Sequence, residues 1–187
     1  MRLFYAVAAD DEVKAAAAET VERLRRVPAD YRWVDPRDMH VTLRFLGETP
    51  ETELPAVEAR LREAAARSAP FEIVYGGVGA FESLEDPRVV WVGLDEGFEP
   101  MRKLADLLGR DEPRPFAPHM TLGRRKRESA SPEFLAALRS QPRWALRRPA
   151  SRLSLYASRP APFGHAYEIL LDAELTGSAG ESGGVRP

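Results

Sequence analysis

The chain has 187 residues, with 27 Lys or Arg against 29 Asp or Glu, so its formal net charge is −2 when its three histidines are neutral. That length suits one ordinary domain or two small half-domains sharing a core, and 44% hydrophobic with 30% charged residues suits a soluble globule rather than a disordered chain. Without cysteine there are no disulfides, thiol nucleophiles or Cys-ligated metals, so any chemistry falls to His, Thr, Tyr, acids and Arg.

Residues 2–8, RLFYAVA, read as a first strand that ends at an acidic pair. This apolar run is too short for a signal-peptide core or a membrane span, and no later stretch does better, so a soluble cytoplasmic protein with no membrane partner is expected. A helix follows from Asp10 or Asp11, with acids in its first turn and Arg25 and Arg26 near its end. Its buried stripe is Val13, Ala17, Thr20 or Val21, and Leu24, and Pro28 stops it. Residues 39–47, MHVTLRFLG, alternate: Met39, Val41, Leu43 and Phe45 take one face, and His40, Thr42 and Arg44 the other. The phase assigns Phe45 to the core and Arg44 to the face of His40.

Residues 51–67 read as a second helix with a ragged start at Pro55, 70–76 as a strand, the Gly76, Gly77, Gly79 region as a turn or bulge, and 87–94 as another strand. A helix at 99–109 precedes a strand at 114–124, entered through two prolines, and a short helix spans 132–140 with Pro132 in its first turn. Two closing strands cover 151–158 and 166–175. Residues 1–175 thus form one domain, and 176–187, rich in Gly and Ser, form a flexible tail. Short connections between several strands argue for α+β with antiparallel or mixed sheets under helices, not a doubly wound parallel sheet.

Charge is uneven along the chain. Residues 114–159 hold 11 basic and 2 acidic side chains, a surplus of nine inside a nearly neutral protein. Such a segment either builds a positive face for a polyanion or decorates solvated loops.

The chemistry is carried by a repeat. His40-Val41-Thr42-Leu43 recurs as His119-Met120-Thr121-Leu122, so two of the three histidines share one context. Positions i and i+2 of a strand lie on one face, which places each His beside its Thr and sends the intervening aliphatics to the core. A duplicated strand motif suggests two similar lobes, each presenting one pair to a shared cleft. Opposed histidines suit in-line displacement at phosphorus: one imidazole accepts a proton from the attacking oxygen, and the other, charged, donates to the departing one. The threonine hydroxyls can donate to non-bridging oxygens, and Arg44 or Arg124 can offset developing charge. The alternative is a pair of solvent-facing strand motifs inherited through duplication.

The segments HVTLRFLG and PHMTLGR, set among RLFYAVA, RWVDPRDMHVTLRFLGE, PFEIVYGGVGAF and DPRVVWVGL, resemble the 2H phosphoesterase superfamily and its RNA 2′,3′-cyclic phosphodiesterase branch, historically called 2′-5′ RNA ligase. The resemblance implies a bilobal, pseudo-symmetric fold with a central groove. It implies hydrolysis of a terminal 2′,3′-cyclic phosphate on RNA to a 2′-phosphomonoester, without metal or cofactor, and reversible 2′-5′ joining. By position His40 matches the proton donor to the leaving 3′ oxygen, His119 the base for water, and Thr42 and Thr121 the phosphate-binding threonines. Arg124, Arg44, Trp33 and Tyr167 are further candidates for substrate contact, and His165 reads as an exposed turn residue. The expected partner is an RNA or oligonucleotide bearing the cyclic phosphate, met by a monomer. Two other readings stand beside it: a phosphodiesterase for small cyclic nucleotides or 2′-5′ oligonucleotides, and a noncatalytic RNA-binding module.

Overall fold

The computed structural model describes residues 1–111, 113–161 and 164–178. The strands are β1 (Arg2–Ala8), β2 (Tyr31–Trp33), β3 (His40–Glu48), β4 (Phe71–Glu82), β5 (Pro87–Glu96), β6 (His119–Arg125), β7 (Leu146–Ala150), β8 (Arg152–Ala161) and β9 (Gly164–Glu174). The helices are α1 (Asp11–Arg25), α2 (Leu54–Ala66), α3 (Phe98–Leu107) and α4 (Pro132–Arg139). The strand expected at 114–124 begins only at His119, and β7 is an element the local pattern does not announce.

Local chemistry accounts for the helix starts. The Asp10 carboxylate caps α1 by accepting from the Val13 N–H at 3.0 Å, and Ser131 caps α4 through Phe134 at 3.2 Å. The stripe of α1 is buried at Val13, Ala17, Thr20, Val21 and Leu24. A short 3₁₀ turn at Glu51–Glu53 leads into α2, with Pro55 in its first turn, where no amide donor is needed.

The strands form one antiparallel sheet in the order β7-β4-β5-β6-β3-β1-β8-β9, with β2 paired to β6 beside this path. It divides into two four-stranded halves that meet between β6 and β3. That junction rests on one residue pair, Val41 with Met120, the middle residue of each His-x-Thr triplet. One face of the sheet carries the helices and the main core, including Tyr5, Val41, Leu43, Val92, Met120 and Leu122. Tyr5 reaches through it to donate to the Val57 carbonyl of α2 at 2.8 Å. The opposite face holds a small separate cluster of Phe4, Ala6 and Tyr156, with Tyr167 against it.

The glycine-rich stretch lies inside β4, which runs on to Glu82, and its pairing with β5 slips between Tyr75 and Val78. The bulge expected there is present. At the carboxyl end the Thr176 and Gly177 amides donate to Ala65 and Ser68 carbonyls at 3.1 and 3.0 Å, so the expected tail is anchored over its first residues. Residues 179–187 of that tail lie outside the described residues.

Candidate active site

The antiparallel register at Val41 and Met120 sets His40 opposite Thr121 and Thr42 opposite His119. All four side chains project from the face away from the helices, arranged about a local twofold between the two halves. Each histidine is oriented in the same way. The Nδ1 of His40 lies 2.6 Å from the Asp38 carbonyl, and that of His119 2.7 Å from the Ala117 carbonyl. A carbonyl only accepts, so Nδ1 carries the proton in both rings and Nε2 is left for the groove.

Aromatic walls desolvate both rings. Phe4, Tyr156 and Tyr167 have centroids 4.8, 5.3 and 5.4 Å from that of His40, and Phe81 meets His119 edge-on at 4.6 Å. Burial accordingly pushes the His40 pKa down to about 4, with smaller contributions from the charges of His119 and Arg124 in the same direction. His119 is lowered too, chiefly by burial and then by Arg124. Arg124 therefore lies electrostatically within reach of both imidazoles, and it carries no acidic partner among the described residues.

Matched β-bulges re-aim the residues beyond the threonines. Ala6 pairs with Thr42 and Tyr5 with Arg44, skipping Leu43; Trp91 pairs with Thr121 and Val90 with Gly123, skipping Leu122. Each extra residue reverses the alternation. Arg44 consequently joins Tyr5 on the helix face, where its Nη1 donates to the Leu108 carbonyl at the end of α3 at 2.5 Å. This corrects its expected place beside His40: its cation satisfies a helix C-terminus instead of the groove. The same reversal brings Phe45 onto the groove face opposite Phe4, 62% exposed, where the simple phase predicted core. Position by position, Phe45 is the counterpart of Arg124.

Trp33 is the second correction. It lies over Gly123, whose missing Cβ would sit 2.6 Å from the indole, and stacks on Tyr31 at 5.3 Å beside Phe134. Pairing with Gly123 fixes it on the helix side, so it lines no part of the groove. Tyr167 does stand in the groove, edge-on to His40. His165 is exposed as expected but lies in β9, 3.1 Å from the Ser158 hydroxyl. Eight of the eleven basic side chains of the 114–159 segment meet acidic partners. Arg125 pairs with Asp86, Lys126 with Asp30, Arg139 with Glu85, Arg143 with Asp95, Arg147 with Glu96, Arg148 with Asp10, Arg152 with Asp172 and Arg159 with Glu168.

A curled antiparallel sheet carrying two His-x-Thr strands about a local twofold defines a two-histidine phosphoesterase. Residues 13–159 match the 2′-5′ RNA ligase superfamily. The chain is 36% identical to the RNA 2′,3′-cyclic phosphodiesterase of Thermus thermophilus, with 96% of this chain and 93% of that protein covered. It is 38% identical over 136 residues to the protein of that name from Archaeoglobus fulgidus, spanning 69% of this chain and 75% of the other. The chain belongs to this family of RNA 2′,3′-cyclic phosphodiesterases within the 2H phosphoesterase superfamily. The crystal structure of TT0787 of Thermus thermophilus superposes with a TM-score of 0.78 at 33% identity, covering 95% and 99% of the two chains. Escherichia coli LigT complexed with 3′-AMP gives 0.74 at 26% identity, covering 94% and 98%. No helix among the described residues is long and apolar enough to cross a membrane.

Proposed function

We propose that the protein hydrolyses a terminal 2′,3′-cyclic phosphate on RNA to a 2′-phosphomonoester, working in the cytoplasm as a monomer with no metal or cofactor. The observation that carries this reading is the register of Val41 with Met120, which confronts two like-oriented His-Thr pairs across one groove. With the phosphorus between them, the Nε2 of His119 takes a proton from water as its oxygen attacks. The Nε2 of His40 gives one to the departing 3′ oxygen. The hydroxyls of Thr42 and Thr121 donate to the non-bridging oxygens, and Arg124 stabilises the charge that grows there. The exposed ring of Phe45 and the edge of Tyr167 offer a terminal base its stacking surface on the His40 side.

The internal pairing of the basic segment favours recognition of a chain end, so short oligonucleotides and small cyclic nucleotides fall within the same chemistry. The test is turnover of a dinucleotide ending in a 2′,3′-cyclic phosphate, in excess chelator, with the product resolved from its 3′ isomer. A 2′-phosphate product supports the reading. Loss of turnover on chelation, or a 3′-phosphate product, refutes it.

A further inference from the structure

The row of side chains across the groove face does not end at Arg124. Tyr31 is buried and Trp33 packs on the core side, so Arg32 between them projects from the opposite face of β2, the face that carries the histidines. β2 pairs Arg32 directly with Arg124, and β5 and β4 continue the row through Val89 and Phe81. Phe81 is the ring that meets His119 edge-on. Two exposed guanidinium groups thus stand side by side on neighbouring strands.

Like charges directly opposite each other weaken a sheet. The residues that follow Arg124 are answered by carboxylates, Arg125 by Asp86 and Lys126 by Asp30, yet neither Arg32 nor Arg124 has an acidic partner among the described residues. A repulsion left uncompensated on the functional face is relieved by the anionic groups of a ligand. The two cations differ in reach. Arg124 acts electrostatically on both imidazoles, whereas Arg32 contributes to the titration of neither. Arg124 therefore covers the reacting phosphate, and Arg32 covers a position one strand spacing, about 4.8 Å, farther out. β2 borders the same edge of β6 as β3 does, so that position is on the His40 flank, where the terminal nucleoside is proposed to lie.

We infer that Arg32 holds the phosphodiester that links the terminal nucleotide to the rest of the RNA, and so distinguishes an RNA end from a cyclic mononucleotide. The inference rests on the roles proposed above, which put the reacting phosphate between His40 and His119. The next phosphate toward the 5′ end is carried by the same ribose as the cyclic phosphate, so the chain leaves the centre of the groove past Arg124. Its two non-bridging oxygens share one negative charge and accept from the planar fork of a guanidinium, a match that an ammonium group does not reproduce. A nucleoside 2′,3′-cyclic phosphate has no such group, and Arg32 then stays in solvent. No bond is made or broken at this position: Arg32 binds substrate and leaves the chemistry to the histidines.

The test compares two substrates in chelator: a dinucleotide ending in a 2′,3′-cyclic phosphate, which has one internal phosphodiester, and 2′,3′-cyclic AMP, which has none. Arg32→Gln keeps an exposed polar side chain and removes the cation, and thermal unfolding checks that it folds. It is expected to raise KM for the dinucleotide roughly tenfold, the loss of one charge-assisted contact, with kcat and the KM for cyclic AMP kept within about twofold. Arg32→Lys should restore only part of the loss. The parent protein should show the same raised KM for a dinucleotide whose internal linkage is an uncharged methylphosphonate. An unchanged KM for the natural dinucleotide overturns the inference, and so does an equal rise for cyclic AMP, which would assign Arg32 to the reacting phosphate. If the parent turns over neither substrate, the proposed function fails, and the Kd of the dinucleotide against that of cyclic AMP, in parent and variant, then decides the role of Arg32 by itself.

Discussion

Changing pH perturbs the proposed pair where it is most specific. The mechanism requires one imidazole charged and one neutral, yet in the free groove burial holds His40 at about 4 and lowers His119 as well. The singly protonated pair is then a minority at neutral pH, and kcat/KM, which reports the free protein, must fall about tenfold per pH unit above the higher of the two macroscopic pKa values. A bound phosphodiester sets a negative charge between the rings and opposes their desolvation. If it returns His40 to about 6.5, the shift of about 2.5 units corresponds to about 3.4 kcal/mol of coupling between proton and substrate. The kcat profile, which reports the complex, therefore lies to the alkaline side of the kcat/KM profile.

The assay is steady-state hydrolysis of a cyclic dinucleotide from pH 4.5 to 9 at constant ionic strength, alongside NMR titration of the three imidazoles. Superimposed kcat and kcat/KM profiles, or a His40 signal titrating near 6.5 in the free protein, would refute the reasoning. Stability supplies an independent check with a fixed sign. A histidine whose folded pKa lies below its unfolded value leaves the unfolded chain holding more protons, so stability is retained above about 6.5 and declines as pH falls toward 4, by up to about 3 kcal/mol from His40. His40→Gln should flatten that decline.

His40→Ala and His119→Ala should each lower kcat by roughly 10²–10⁴ without unfolding the protein, as read by single-turnover kinetics and circular dichroism. Thr42→Val and Thr121→Val keep the β-branch and remove the hydroxyl, so kcat/KM should drop by roughly 10-fold to 10³-fold while Tm moves little. Arg44→Met should cost about 1 kcal/mol in urea unfolding, because the Leu108 carbonyl loses its charged donor, with the rate of hydrolysis kept within about twofold. For RNA binding, the slope of log K against log salt should be close to the −0.7 of about one neutralised phosphate, and Arg125→Gln, whose cation is already paired with Asp86, should leave it unaltered.

The parts of the fold legible in the sequence are those fixed by local periodicity. The stripe of α1, the His-x-Thr phase up to Thr42 and Thr121, the start of α1 at Asp10 and the place of Pro132 in the first turn of α4 each depend on neighbours within a turn or two. Arg44, Phe45 and Trp33 were misplaced for one kind of reason. A bulge inserts a residue whose effect is visible only in the partner strand, and nothing in TLRF or TLGR marks Leu43 or Leu122 as the extra one. The strand β7, LRRPA, has neither alternation nor β-rich composition and is made by pairing with β4 some 75 residues earlier. The pairing of the basic segment is equally invisible locally, because the carboxylate that meets Arg148 is Asp10, 138 positions away.

Symmetry in the floor of the groove and asymmetry in its walls follow from what a reversible displacement at phosphorus demands. The acid of one direction is the base of the other, so each histidine needs the same tautomer and orientation, and a duplicated strand with a carbonyl two residues before each ring provides both. Direction must then come from the surroundings. Phe45 and Arg124 occupy equivalent positions yet present a π face on one side and a cation on the other, and the bay is filled at His40 but open at His119. Under the proposed roles the nucleoside that stays attached is held on the His40 side, while water enters at His119. Exchanging Phe45 and Arg124 by Phe45→Arg with Arg124→Phe leaves the four central side chains in place and reverses only this bias. The exchange should cost far more in KM than either histidine substitution does, and an unchanged KM in the folded double variant would mean that the walls do not orient the substrate.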